Sequence, residues 1–132
     1  MAKKISIVVI LLTVGFFCLG SNMLLAKDYT SVEDIQLDGE DAIGKRATLC
    51  IQSGNIDNDS YGKRFWANDV SKGLPSKMIY IYFDKNQKEL FKKIQPTPHP
   101  SSCTIVTIEV FELGMSIPRG RLISVGKQMQ FR

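Results

Sequence analysis

Between residues 46 and 125 apolar and polar side chains alternate in five short blocks, the period-two signature of half-buried β-strands. In the first block, 46–56, Ala47, Leu49 and Ile51 fall on one face and Thr48, Cys50 and Gln52 on the other. The second, 61–69, sets Phe65 and Ala67 against Arg64, Trp66 and Asn68. The third, 77–83, consists almost wholly of β-formers, with Ile79, Ile81 and Phe83 as the inward set and Met78, Tyr80 and Tyr82 as the outward one. The fourth, 103–113, alternates Thr104, Val106, Ile108 and Val110 with Ile105, Thr107, Glu109 and Phe111, and a short fifth block covers 121–125. Asp57, Asn58, Asp59 and Ser60 predict a turn after the first strand.

The period changes to a helical one at two places. Thr30 and Ser31 precede Glu33 and Asp34, an N-cap followed by acids in a first turn, with Val32 and Ile35 as the apolar side of a helix ending near Gly39. Asp84 with Gln87 three residues on predicts a capped second helix between the third and fourth strands, apolar at Leu90, Phe91 and Ile94 and basic at Lys88, Lys92 and Lys93. Pro96, Pro98 and Pro100 then enforce an extended linker.

The pattern at the N-terminus is different in kind. Lys3 and Lys4 precede a largely apolar run from Ile5 to Leu19, interrupted at Ser6 and Thr13 and followed by small residues at Gly20, Ser21 and Ala26. This is the layout of a secretory signal peptide. Cleavage after Ala26 and cleavage after Gly20 both satisfy the small-residue rule. An uncleaved segment 5–25 would instead anchor the chain in a membrane, being close to the roughly 20 residues a helical span needs. The chain thus divides into a signal peptide (1–26), an acidic leader with a short helix (27–40) and a β-domain (41–132), with a periplasmic or secreted location expected.

Export changes the reading of the cysteines. Cys18 lies in the signal segment, leaving Cys50 and Cys103 as an even pair in an oxidising compartment, where a disulfide is expected. The two fall in the first and fourth strands, so a bridge between them would staple the sheet. Charge is unevenly spread. Residues 27–41 carry six acids and one lysine, whereas residues 42–132 carry 14 basic and seven acidic side chains, a net of +7. The basic body suits an anionic partner, and the acidic leader is a candidate to cover part of its surface.

Three strands, a short helix and two more strands is the element order of the five-stranded oligonucleotide/oligosaccharide-binding barrel, the OB-fold. The stretch Asp41-Ala42-Ile43-Gly44-Lys45-Arg46-Ala47-Thr48-Leu49 resembles the opening of small exported bacterial OB-fold domains. Tyr61-Gly62-Lys63-Arg64-Phe65-Trp66-Ala67-Asn68-Asp69 is similar to their second strand. The likeness, to the tRNA-anticodon-binding-like OB superfamily, spans residues 41–126. It implies a barrel in which the first and fourth strands pair, bringing Cys50 and Cys103 together. It also implies ligand binding on the outer face of strands two and three.

That face would carry Trp66, Tyr80 and Tyr82, bordered by Lys63, Arg64 and Lys77. Aromatic platforms with cationic borders stack sugars or bases, so Lys63, Arg64, Trp66, Tyr80 and Tyr82 are the candidate site for an anionic or oligosaccharide ligand. An envelope-assembly subunit docking a protein partner on the same face is the alternative, and export argues against nucleic acid. Asp57-x-Asp59-x-x-Gly62 is a turn and not a calcium loop, since Tyr61 stands at the fifth position and Asn68 at the twelfth. Asn58-Asp59-Ser60 is a glycosylation sequon, relevant only in a eukaryotic secretory host. His99 is the only histidine and sits between two prolines. Glu109 and Glu112 fall on opposite strand faces. No nucleophile motif, phosphate loop or metal motif is present, so no enzyme, metal or cofactor is expected.

Overall fold

The computed structural model describes residues 28–73, 75–94 and 102–130. The expected signal segment and the proline linker with His99 lie outside the described residues. Five strands form a closed barrel: β1 (Arg46–Asp59), β2 (Gly62–Asp69), β3 (Lys77–Tyr82), β4 (Ser102–Glu112) and β5 (Arg119–Gln130), in the spatial order β1-β2-β3-β5-β4. β1 closes the ring by pairing antiparallel with β4, from Arg46 opposite Glu109 to Ile51 opposite Thr104. β3 and β5 run parallel over a short register, Tyr80 to Tyr82 against Arg119 to Arg121. This is the OB-fold-like barrel expected from the element order.

The alternating inward set fills the barrel. Ala47, Leu49, Ile51, Phe65, Ala67, Ile79, Ile81, Val106, Ile108 and Val110 have no exposed surface. Two short helices flank the barrel. α1 (Val32–Asp38) begins at Ser31, whose hydroxyl accepts from the Asp34 N–H, and it buries Val32 and Ile35 completely. Asp69, at the end of β2, accepts from the Val32 N–H at 2.7 Å and from the backbone and hydroxyl of Ser71. One buried carboxylate thus holds the helix start and the loop after β2. α2 (Lys88–Lys92) follows a 3-10 turn capped by Asp84 and Gln87 in a reciprocal box. It lies at the other end of β3, where Phe91 stacks on Phe83 with centroids 4.7 Å apart. Among the described residues no helix is long and apolar enough to cross a membrane.

Cys50 and Cys103 sit at disulfide-bonding distance with their Cα atoms 5.4 Å apart. They are two residues off register across the β1–β4 ladder, where Cys50 faces Ile105. The crosslink would close a loop of 53 residues.

Two expectations need correction. The turn expected at residues 57–60 is strand as far as Asp59, which pairs with Gly62. Only Ser60 and Tyr61 form the loop. The Asp59 carboxylate accepts from the Tyr61 N–H at 2.8 Å, and Gly62 takes a φ of 126° that side chains with a Cβ avoid. β5 also extends well past Val125, because Gln128, Met129 and Gln130 continue the ladder to Thr104, Cys103 and Ser102.

Candidate functional site

On the outer face of β2 and β3 the expected residues stand directly opposite one another, Trp66 facing Tyr80 and Arg64 facing Tyr82. Their surroundings, however, close the Arg64–Tyr82 end of this face, while Trp66 and Tyr80 stay partly exposed. The Arg64 guanidinium lies 3.8 Å from the Tyr80 ring centroid and its side chain keeps 14% exposure. It donates to Asp57 at 2.7 Å and to Asp59 at 3.0 Å. Tyr82 is only 3% exposed. Its hydroxyl donates to Asp59 and accepts from Arg64 at 3.3 Å and from Arg119 at 3.1 Å. Arg119 in turn donates to Glu112 at 3.2 Å. Tyr61 and Phe111 pack edge-on or tilted against the Tyr82 ring and against each other.

The electrostatics follow from this closure. Burial alone would push the Asp59 carboxyl up. The Tyr82 hydroxyl, the Tyr61 N–H and the Arg64 and Arg119 guanidiniums outweigh it, and the group ends below the usual carboxylate range. Burial, seconded by the Asp59 carboxylate, pushes the Tyr82 phenol up. The Asp57 carboxylate holds the Arg64 guanidinium even more firmly charged than usual. Arg64, Arg119 and the Tyr82 hydroxyl each already have an internal acceptor.

Trp66 is half-buried. The β1–β2 register slips by one residue between Ser53 and Ile56, which puts Gly54 beside the indole. A Cβ at Gly54 would overlap the ring, so the missing side chain is the space that Trp66 fills. Lys63 is exposed, next to a second feature.

That feature is a groove of about 1060 Å³ between the β1–β2 hairpin, the end of β3, α2 and the middle of β5. Ile56, Tyr61, Phe83, Phe91, Leu122 and Ile123 supply its apolar lining, and Lys63, Lys85, Lys88, Lys92 and Arg121 its cations. Asp84 is the one carboxylate of the lining, and it accepts from the Asn86 N–H as a helix cap. Lys92 also pairs with Glu89 on its own helix at 3.2 Å, and Arg121 lies over the Phe111 ring at 4.5 Å. Of the five candidates read from the sequence, the groove takes in Lys63 and Tyr82. Arg64, Trp66 and Tyr80 stay on the β2–β3 face, outside the groove. The remaining cations were missed, although the spacing of Lys85, Lys88 and Lys92 (i, i+3, i+7) puts them along one side of a helical turn.

Among the described residues the acidic leader does not reach the groove, since none before Ile56 lines it. Its Glu33 and Asp34 pair instead with Lys72, at 3.5 and 3.2 Å. The Ser31 hydroxyl and then Lys72 draw the Asp34 carboxyl below its ordinary value. No cluster of three or more His, Cys, Asp or Glu side chains suited to a metal occurs among the described residues. Comparison of the chain with known protein families, characterised proteins and solved structures finds no match.

Proposed function

We propose that this protein is a small exported, disulfide-stapled binding module of the OB-fold type, non-catalytic, whose ligand is an anion held in the groove beside the β1–β2 hairpin. One observation carries the reading. Five cationic side chains converge on a concave, largely apolar surface whose single lining carboxylate is engaged as a helix cap. Concave apolar sites with a few convergent polar groups are where proteins hold small ligands, and local charge excess raises the concentration of counter-ions. The strand-two and strand-three face contributes Lys63 and Tyr82 at the groove edge, and behind them it acts as scaffold. The export assignment rests on the N-terminal pattern and on the proximity of Cys50 and Cys103.

The test is calorimetric titration of the intact protein with pyrophosphate and with a sulfated oligosaccharide at two salt concentrations. The reading requires binding that weakens with salt and falls at least tenfold in a Lys85→Glu/Lys88→Glu double variant. Binding that ignores both changes would remove the groove from the account.

A second reading, an envelope-assembly subunit, draws on a different end of the molecule. Leu37 is 77% exposed and Met115 fully exposed, on neighbouring segments joined by a hydrogen bond from the Gln36 amide to the Ser116 carbonyl at 2.9 Å. A stoichiometric complex from envelope extract that Leu37→Asp abolishes would favour it.

A further inference from the structure

The groove has two chemistries. A purely polyanionic ligand such as a sulfated sugar would use its rim and leave its floor idle. Ile56 and Tyr61 are 47% and 46% exposed, unusually open for large apolar side chains that line one cavity. Behind them Phe91, stacked on the buried Phe83, supplies a partly exposed aromatic ring. The apolar side chains come from β1, the hairpin loop, the residue after β3, α2 and β5, so five separate segments deliver hydrophobic side chains to one concavity. The cations are long, flexible side chains, exposed in every case. A charge at the end of a lysine stem stays hydrated at a rim while the stem adds to the apolar wall.

We propose that the ligand is a monomeric anionic amphiphile, a single alkyl or acyl chain with a phosphate or carboxylate head. The chain lies on Ile56, Tyr61, Phe91 and Ile123, and the head meets Lys63, Lys85 and Lys88. This deepens the anion-binding reading above and rests on it. Charge complementarity selects the head and the apolar floor selects the tail. Neither half of the groove explains the other half without such a ligand.

The probes are n-octyl, n-decyl and n-dodecyl phosphate below their micellar concentrations, with pyrophosphate and decyl maltoside as the head-only and uncharged controls. They are titrated calorimetrically into the intact protein. Affinity is expected to rise with chain length, by up to roughly fourfold per methylene at full burial, with decyl maltoside at least tenfold weaker than decyl phosphate. Ile56→Asp, at a half-exposed position that the fold does not require to be apolar, should flatten the chain-length dependence. Lys85→Glu/Lys88→Glu should lower all three alkyl phosphates by a common factor and leave the dependence intact.

The failures separate. Pyrophosphate binding as tight as dodecyl phosphate, with no chain-length trend, would overturn the amphiphile while leaving an anion-binding groove. Decyl maltoside binding as well as decyl phosphate would discard the cationic rim, and with it both readings. Silence from every probe would do the same. Co-sedimentation with phosphatidylglycerol vesicles without any monomer binding would replace the ligand with a membrane surface and overturn the proposal.

Discussion

Two arginine- and lysine-rich regions lie side by side on this barrel and differ in what surrounds their charge. On the β2–β3 face, Arg64 and Arg119 are matched by Asp57, Asp59 and Glu112 within hydrogen-bond reach and roofed by tyrosine rings. In the groove, Lys63, Lys85, Lys88, Lys92 and Arg121 face one carboxylate of the lining. The first region spends its charge inside the molecule and so contributes to stability. In the second, Lys63, Lys85 and Lys88 are exposed and so are available to a ligand, while Lys92 also pairs with Glu89. A count of basic residues does not tell the two apart; the placement of the acids does.

The sharpest way to break this contrast is Arg64→Ala. It takes from Asp59, whose side chain keeps only 20% exposure, its nearest cation, removes the Arg64 bonds to Asp57 and Tyr82, and should cost about 3 kcal/mol in chemical denaturation while anion binding in the groove stays within twofold. Loss of binding with unchanged stability would reverse the assignment of the two regions. Trp66→Ala comes next, at about 2 kcal/mol, since it opens the space above Gly54. Gly54→Val tests the same contact from the other side and should shift the Trp66 emission. The reciprocal of Arg64→Ala is the charge reversal Lys85→Glu/Lys88→Glu, expected to change stability by under about 0.5 kcal/mol and anion affinity by tenfold or more.

The smallest effect is on pH. Asp59 has a folded-state pKa below its ordinary value of 3.8, so its contribution is complete above that value and is lost as pH falls through the lower, folded-state value. Acid denaturation followed by circular dichroism should therefore show an Asp59→Asn variant, less stable at neutral pH, losing less of its remaining stability below about pH 4 than the parent. At the alkaline end Tyr29 has the opposite sense. Its hydrogen bond to Asp38, with burial, pushes its phenol up to about 12. The corresponding stability is present below pH 10 and disappears as pH rises through 12, a limb that Tyr29→Phe should remove.

Much of the barrel was legible because alternation reports burial directly. Ala47, Leu49 and Ile51, then Ile79 and Ile81, read as core and are core. Ser31 and Asp84 read as caps because capping is a local transaction between neighbours. The tail of β5 was not legible. Gln128, Met129 and Gln130 are exposed and are held in the sheet by ladder pairing to β4, which leaves no mark in a hydropathy pattern. Tyr82 was assigned the correct face, but its burial depends on Tyr61 and Phe111, which arrive from a hairpin and from β4. Arg64 read as a free cation for the same reason, because the turn assigned to residues 57–60 hid that Asp57 and Asp59 continue β1 as strand and so present their carboxylates to Arg64.

The closed ring also dictates an order of events. β5 completes two ladders at once, one with β3 and one with β4, and Cys103 reaches Cys50 only once β4 has docked on β1. A chain delivered N-terminus first therefore carries Cys50 as a lone thiol, and the Leu49 and Ile51 strand without its partner, until more than fifty further residues have followed. Non-local closure of this kind slows folding. β5, the last of the five strands in chain order, thus governs when the ring closes.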